Sequence, residues 1–87
     1  MDDLIGAVEK ALDETARSCL RLIGTRSLKR EQHRALAKWM FGCLNQRYTI
    51  RGRIARRGVG ELTKVMTFVA RACEVLLEID VETSDRE

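Results

Sequence analysis

The chain has 87 residues, of which 45% are hydrophobic, and a formal net charge of +3. This length fits one domain, and the hydrophobic fraction excludes an intrinsically disordered chain. No apolar run approaches the length of a membrane span, and the acidic start at Asp2 and Asp3 is unlike a signal peptide. Three widely spaced cysteines make a poor disulfide framework, so we expect a soluble protein of the reducing cytoplasm.

The charges fall into three blocks along the chain. Residues 1–16 carry a net charge of −4, residues 17–64 carry +11, and residues 65–87 carry −4. A basic middle of this kind creates a local field that the small total charge conceals. The sequence contains no proline, which favours long uninterrupted helices.

Apolar residues recur at helical spacing over 2–23 and predict a first amphipathic helix within 1–24. Asp2 or Asp3 can cap its N-terminus, and Gly24 is placed to end it. The predicted buried stripe of this helix consists of Leu4, Val8, Ala11, Leu12, Thr15, Cys19 and Leu22.

A second helix is predicted over 27–48, with Ser27 as its N-cap. Its predicted apolar face consists of Leu28, Ala35, Leu36, Trp39, Met40, Cys43 and Leu44. The opposite face is basic and also carries two aromatic side chains: Arg30, Arg34, Lys38, Phe41 and Tyr48.

Residues 49–60 contain three glycines and four arginines, which predicts an Arg-rich connection. A third helix is predicted over 61–79, and residues 80–87 are expected to form a frayed acidic tail. The fold class is therefore all-α, a small three-helix bundle in a single domain, with antiparallel neighbours.

The third helix has an apolar arc too wide for two neighbouring helices to cover. The leftover set is expected to comprise Phe68, Val75 and Ile79, and large exposed apolar patches usually mark an interface. The sequence thus predicts a homodimer through this helix. The alternative is that the connection covers this edge within one chain, through Ile50 and Ile54.

No constellation typical of an enzyme is visible. His33, the single histidine, has no serine or cysteine on its face, so it is interpreted as a solvated helix residue. The cysteines lack the paired spacing of a zinc site and are expected in the core. A helix-turn-helix with Gly58 at its turn is disfavoured, because Ile54 would stand where a small residue is needed. We therefore expect no catalytic residue, no metal and no cofactor.

The basic middle carries the functional hypothesis. Arginine binds phosphate bidentately, and exposed aromatic side chains can stack on bases. The sequence predicts a non-enzymatic regulator or accessory subunit that binds DNA or RNA mainly through phosphates. The main contacts are expected from Arg51, Arg53, Arg56 and Arg57, with Arg30, Arg34, Lys38 and Arg47 beside them and Phe41 and Tyr48 between them.

The alternative is a protein–protein interaction module. The same arginines would then dock on an acidic partner surface, and Phe41 or Tyr48 would supply an apolar anchor. Small inhibitors encoded by phages or mobile elements are often of this type, being short, helical and free of cofactors.

Overall fold

The structure is a computed structural model that describes residues 2–86 of the chain. It confirms the predicted all-α fold, a three-helix bundle of about 45 × 18 × 17 Å. The three helices are α1 (Asp2–Thr25), α2 (Arg30–Arg57) and α3 (Gly60–Arg86).

Ion pairs at the two ends of the bundle show how the helices run. Arg51, near the C-terminus of α2, binds Glu9 near the start of α1, so α1 and α2 are antiparallel. Arg26, directly after α1, binds Asp80 near the end of α3, so α1 and α3 run in the same direction. Short links at 26–29 and 58–59 allow this up-down-up path.

The predicted connection at 49–60 is wrong, because residues 49–57 continue α2 as regular helix. Ile50 is fully buried and Ile54 packs against the core, so both extend the apolar stripe at helical spacing. The helix ends at Gly58, whose φ of 90° suits a residue without a Cβ. The Gly58 N–H donates to the Ile54 carbonyl at 2.8 Å and closes the last turn.

The start of α2 also differs from the prediction. The N-cap is Lys29 and not Ser27, and Leu28 lies outside the helix while still packing against the core. The N-cap lies at Lys29 because the Gln32 side chain stabilises it there: Gln32 Oε1 accepts a hydrogen bond from the Lys29 backbone N–H at 2.9 Å. This bond satisfies a donor that the first turn leaves without an intrahelical partner.

Two details of α1 differ from the prediction, one in its buried stripe and one at its C-terminal end. Ile5 is buried where Leu4 was expected, and Leu4 is 53% exposed. Gly24 does not end the helix, which continues to Thr25. The Thr25 hydroxyl donates to the Arg21 carbonyl at 2.7 Å in this last turn.

The predicted frayed tail is wrong as well. α3 continues well past Ile79, and Thr83 in its last turns is fully buried. The Thr83 hydroxyl donates to the Ile79 carbonyl at 2.8 Å. Gln32 Nε2 donates to Glu82 Oε2 at 2.6 Å, so α2 holds the end of α3 in place.

The three residues predicted to mediate self-association belong to the core, so that prediction of an exposed set is wrong. Ile79 is 5% exposed, and Phe68 and Val75 pack against the buried clusters, so all three lie between helices of one chain. The Phe68 ring lies 5.0 Å from Trp39, centroid to centroid. The part of α2 that was already predicted as helix covers Phe68, through Trp39 and Gly42. The large apolar side chains of α3 that remain exposed are instead Met66, Leu77 and Val81.

Candidate binding surface

In the part of the chain that the structure describes, three cations of the basic middle pair with the acidic ends: Arg26, Arg47 and Arg51. Glu9 on α1 is the main partner, with only 9% of its side chain exposed. It accepts hydrogen bonds from Arg47 Nη1 at 2.7 Å and from Arg51 Nη2 at 2.7 Å. Arg47 Nε also donates to Asp13 Oδ2 at 3.4 Å. Arg47 and Arg51 therefore lie on the edge of α2 that faces α1.

These contacts set the protonation of Glu9. The hydrogen bond from Arg51 lowers the pKa of the Glu9 carboxyl, and the charges of Arg47 and Arg51 add to this effect. Burial raises the same pKa but does not outweigh the two guanidinium groups. Glu9 is thus a charged group that helps to hold α1 against α2.

A second ion-pair cluster lies on the opposite edge of α2, facing α3. Arg53 Nε donates to Glu61 Oε1 at 3.0 Å, and Arg53 Nη1 donates to the Gln46 side chain. Lys64 and Arg57 approach the same carboxylate at 3.0 and 4.0 Å. Hydrogen bonds from Lys64 and Arg53 lower the pKa of Glu61. Arg53 and Glu61 therefore connect the C-terminal part of α2 to the start of α3.

Four cations of the predicted site remain available to a partner. They lie along one exposed side of α2, and none forms an ion pair with any residue that the structure describes. No acidic residue occurs between positions 32 and 57 of this helix. Together with three apolar or aromatic side chains they form what we call the outer face of α2: Arg30, Arg34, Lys38, Phe41, Leu44, Tyr48 and Arg56.

The centre of the outer face is apolar and exposed. Phe41 is 64% exposed and Tyr48 is 89% exposed, in agreement with their predicted placement on the basic side of the helix. Leu44 was predicted in the core but is 45% exposed beside them. The helical angle of Leu44 places it at the margin between the apolar and basic stripes, so the sequence pattern alone did not separate the two environments.

The structure thus divides the predicted site residues into two groups. Arg30, Arg34, Lys38, Phe41, Tyr48 and Arg56 share the outer face of α2. Arg47, Arg51, Arg53 and Arg57 take part in ion pairs within the chain. Three of the four arginines expected to be the main contacts, Arg51, Arg53 and Arg57, belong to this second group.

The remaining titratable groups lie apart from the outer face of α2 or in the core, with the exception of His33. His33 is exposed on α2, as predicted. Cys19 and Cys43 are buried, and burial raises the pKa of the Cys43 thiol to about 11. Cys73 was expected in the core but is exposed on α3. Within residues 2–86, no group of three or more histidine, cysteine, aspartate or glutamate side chains is placed to hold a metal ion.

The chain was compared with protein-family models, curated proteins and solved structures, and none of them matches it. Among the described helices, none combines the length and the apolar character needed to cross a bilayer.

Proposed function

We propose that this chain is a non-enzymatic binding protein whose outer face of α2 docks in an apolar groove with an acidic rim on another protein. The observation that carries the proposal is the exposure of Phe41 and Tyr48 between cations that form no ion pair with any described residue. The odd number of free cysteines supports a reducing compartment such as the cytoplasm.

The spacing of the apolar side chains fits a helix that binds in a groove. Phe41, Leu44 and Tyr48 follow one another at intervals of three and four residues, so they project from one side over about 10 Å. Aromatic residues are frequent hot spots of interfaces, because they bury a large area at a small cost in conformational entropy. These three side chains would be the anchors of the complex.

The cations of the outer face indicate that the partner surface is negatively charged. Arg30, Arg34 and Lys38 lie on the N-terminal side of the anchors, and Arg56 lies on the C-terminal side. The outer face therefore spans about 39 Å, with an apolar centre and basic ends. Charges at the rim of an interface chiefly accelerate association and reject partners of the same sign. A groove with carboxylates around it would complement this arrangement.

Nucleic acid remains the second candidate, on one specific observation. The outer face carries four cations that pair with no acid within residues 2–86 as described, and no carboxylate occurs between positions 32 and 57. Phosphate contacts by these cations and stacking on Tyr48 would suit a single strand. The candidate ranks second because the ion pairs of Arg51, Arg53 and Arg57 leave fewer cations for phosphates than the sequence predicted.

The test compares two variants with a matched control. Phe41→Ala with Tyr48→Ala removes the anchors, and Arg34→Ala with Lys38→Ala removes cations. Leu20→Ala changes a similarly exposed apolar side chain on α1, outside the outer face. Photo-cross-linking from position 45, between the anchors, captures the protein partner for identification, and binding is then measured with the purified partner.

We expect the Phe41→Ala, Tyr48→Ala variant to lose about 2 kcal/mol or more of binding free energy and the Leu20→Ala control to lose almost none. Gel shifts with duplex DNA, single strands and structured RNA at two salt concentrations are the second arm. Binding to nucleic acid that depends on the cations and not on the anchors would replace the proposal by the second candidate. An anchor variant that binds the purified partner as well as the wild type does would refute it.

A further inference from the structure

A second exposed surface lies on α3, at the side that borders α1. Its side chains are uncharged and follow one another at intervals of four, three, four and four residues. All are exposed, and Leu77 and Val81 are 66% and 60% exposed. The surface borders a groove of about 520 Å³ between α1 and α3. We call it the α3 stripe: Met66, Ala70, Cys73, Leu77 and Val81.

We propose that the α3 stripe is the interface with a second copy of this chain, in which the two α3 helices pack antiparallel around a twofold axis. The stripe advances by about 3.75 residues per step, close to the 3.6 residues per turn of an α-helix, so its five side chains stay on one side of α3. It extends over about 22 Å from Met66 to Val81, which corresponds to four helical turns.

The pattern of side-chain sizes is self-complementary when the axis passes between positions 73 and 74. Met66 of one copy then lies at the level of Val81 of the second copy. Ala70 lies at the level of Leu77 of the second copy, so a small side chain opposes a large one and the seam can close without a gap. The same contacts occur twice, as twofold symmetry requires.

The charges beside the stripe select the antiparallel arrangement. Arg71, Glu74 and Glu78 are exposed, and none of them forms an ion pair with a described residue. In the antiparallel pair, Arg71 of one copy lies within about one helical turn of Glu74 and Glu78 of the second copy. A parallel pair would place the flanks that carry these charges on opposite sides of the seam, so Arg71 could not reach Glu74 or Glu78 of the second copy. These three charges therefore favour a second copy of this chain as the partner, with its α3 antiparallel to the first.

The homodimer is independent of the proposed function. The α3 stripe borders α1, whereas the outer face of α2 points away from both other helices. Each dimer would thus carry two free outer faces, and a partner with two grooves would bind it with increased avidity.

Sedimentation equilibrium of the full chain, from 5 to 500 µM, tests the proposal. We expect a concentration-dependent dimer that Leu77→Glu converts to a monomer. Leu20→Glu is the matched control, because Leu20 is 59% exposed on α1 and lies outside the stripe. Circular dichroism verifies that both variants fold. A wild type that is monomeric at every concentration, or a Leu77→Glu variant that still dimerises, overturns the proposal.

A charge exchange tests the direction of packing. Arg71→Glu should weaken the dimer about tenfold, because the twofold axis repeats each lost attraction. Adding Glu74→Arg to that variant should recover most of the loss. A bismaleimide cross-linker should join two copies through Cys73, which lies beside the axis and is exposed. No recovery in the double variant, or no cross-linked dimer, contradicts the antiparallel arrangement.

Discussion

Glu9 and Arg51 form a two-point contact between α1 and α2: Arg51 Nε and Nη2 donate to the two carboxylate oxygens of Glu9 at 2.9 and 2.7 Å. A bidentate contact fixes the distance between the helices and also their relative rotation. Arg47 adds a third hydrogen bond to the same carboxylate. The single acid thus connects two successive turns of α2 to the start of α1.

This contact predicts how stability depends on pH. The folded-state pKa values of Glu9 and Glu61 are both lowered, so each carboxylate stabilises the fold at a pH above its unfolded-state value of about 4.3. The contribution disappears as the pH falls through the lower folded-state values. Thermal unfolding should therefore give a melting temperature that is flat from pH 7 to 5 and falls below pH 4. Glu9→Gln should lower the plateau and flatten the acid limb, whereas the exposed Glu14→Gln control should keep the wild-type profile.

Arginine substitutions should separate the structural cations from the free ones. Arg53→Ala removes the α2 side chain that donates a hydrogen bond to the buried Glu61 carboxylate at 3.0 Å and leaves only the longer contact of Arg57 from this helix, so it should lower the melting temperature clearly. Arg56→Ala removes an exposed side chain that forms no ion pair with a described residue, and it should change the unfolding free energy by less than about 0.5 kcal/mol. Equal effects of the two substitutions in chemical denaturation would contradict the ion-pair assignment.

The core should respond to truncation according to burial. Leu36 and Leu12 are fully buried, so Leu36→Ala or Leu12→Ala should cost about 2–5 kcal/mol of unfolding free energy. Leu20→Ala, at a 59% exposed position, should cost less than about 0.5 kcal/mol. Urea titration monitored by circular dichroism measures all three, and a cost for Leu20→Ala similar to that of Leu36→Ala would be inconsistent with the packing described here.

The three thiols should differ in reactivity. Cys73 is exposed, while Cys19 and Cys43 are buried and burial raises their pKa values. Because the thiolate is the reactive form, a disulfide reagent at pH 8 should modify one thiol per chain rapidly in the native protein and three in denaturant. The Cys73→Ser variant should show no fast phase. A second fast thiol in the native wild type would show that one of the core positions is open.

The number and type of the helices followed from the sequence, because three amphipathic segments without proline leave little choice of fold. The buried side of α1 was predicted well, with the exception of Leu4, since its apolar and charged faces are clearly separated. The basic segment after Tyr48 was mistaken for a connection because its glycines and arginines outweighed one signal. That signal is the spacing from Cys43 to Ile50 and Ile54, which continues the buried stripe by seven and then four residues.

The site was predictable in part. Side-chain exposure on the outer face of α2 follows from helical periodicity, so Arg30, Phe41 and Tyr48 were placed as the structure has them. Ion pairs between residues far apart in the chain do not follow from periodicity. The contacts of Glu9 with Arg47 and Arg51 depend on how α1 and α2 are aligned. Because of these contacts, the two arginines do not belong to the outer face, although the sequence predicted them at the binding site. The covered side of α3 was misassigned for the same reason, since it depends on how α3 is rotated against the other two helices.

The placement of the ion pairs on α2 has a consequence for the handedness of the bundle. Three helices connected by short links can turn either left or right, and the apolar stripes alone would fit both mirror-related arrangements almost equally well. Arg47 and Arg51 lie on the edge of α2 that meets α1, and Arg53 lies on the edge that meets α3. In the mirror arrangement, the edge of α1 that carries Glu9 would face α3, and the edge of α3 that carries Glu61 would face α1. Both carboxylates would then lose their arginine partners on α2, so the positions of the charges favour the observed hand.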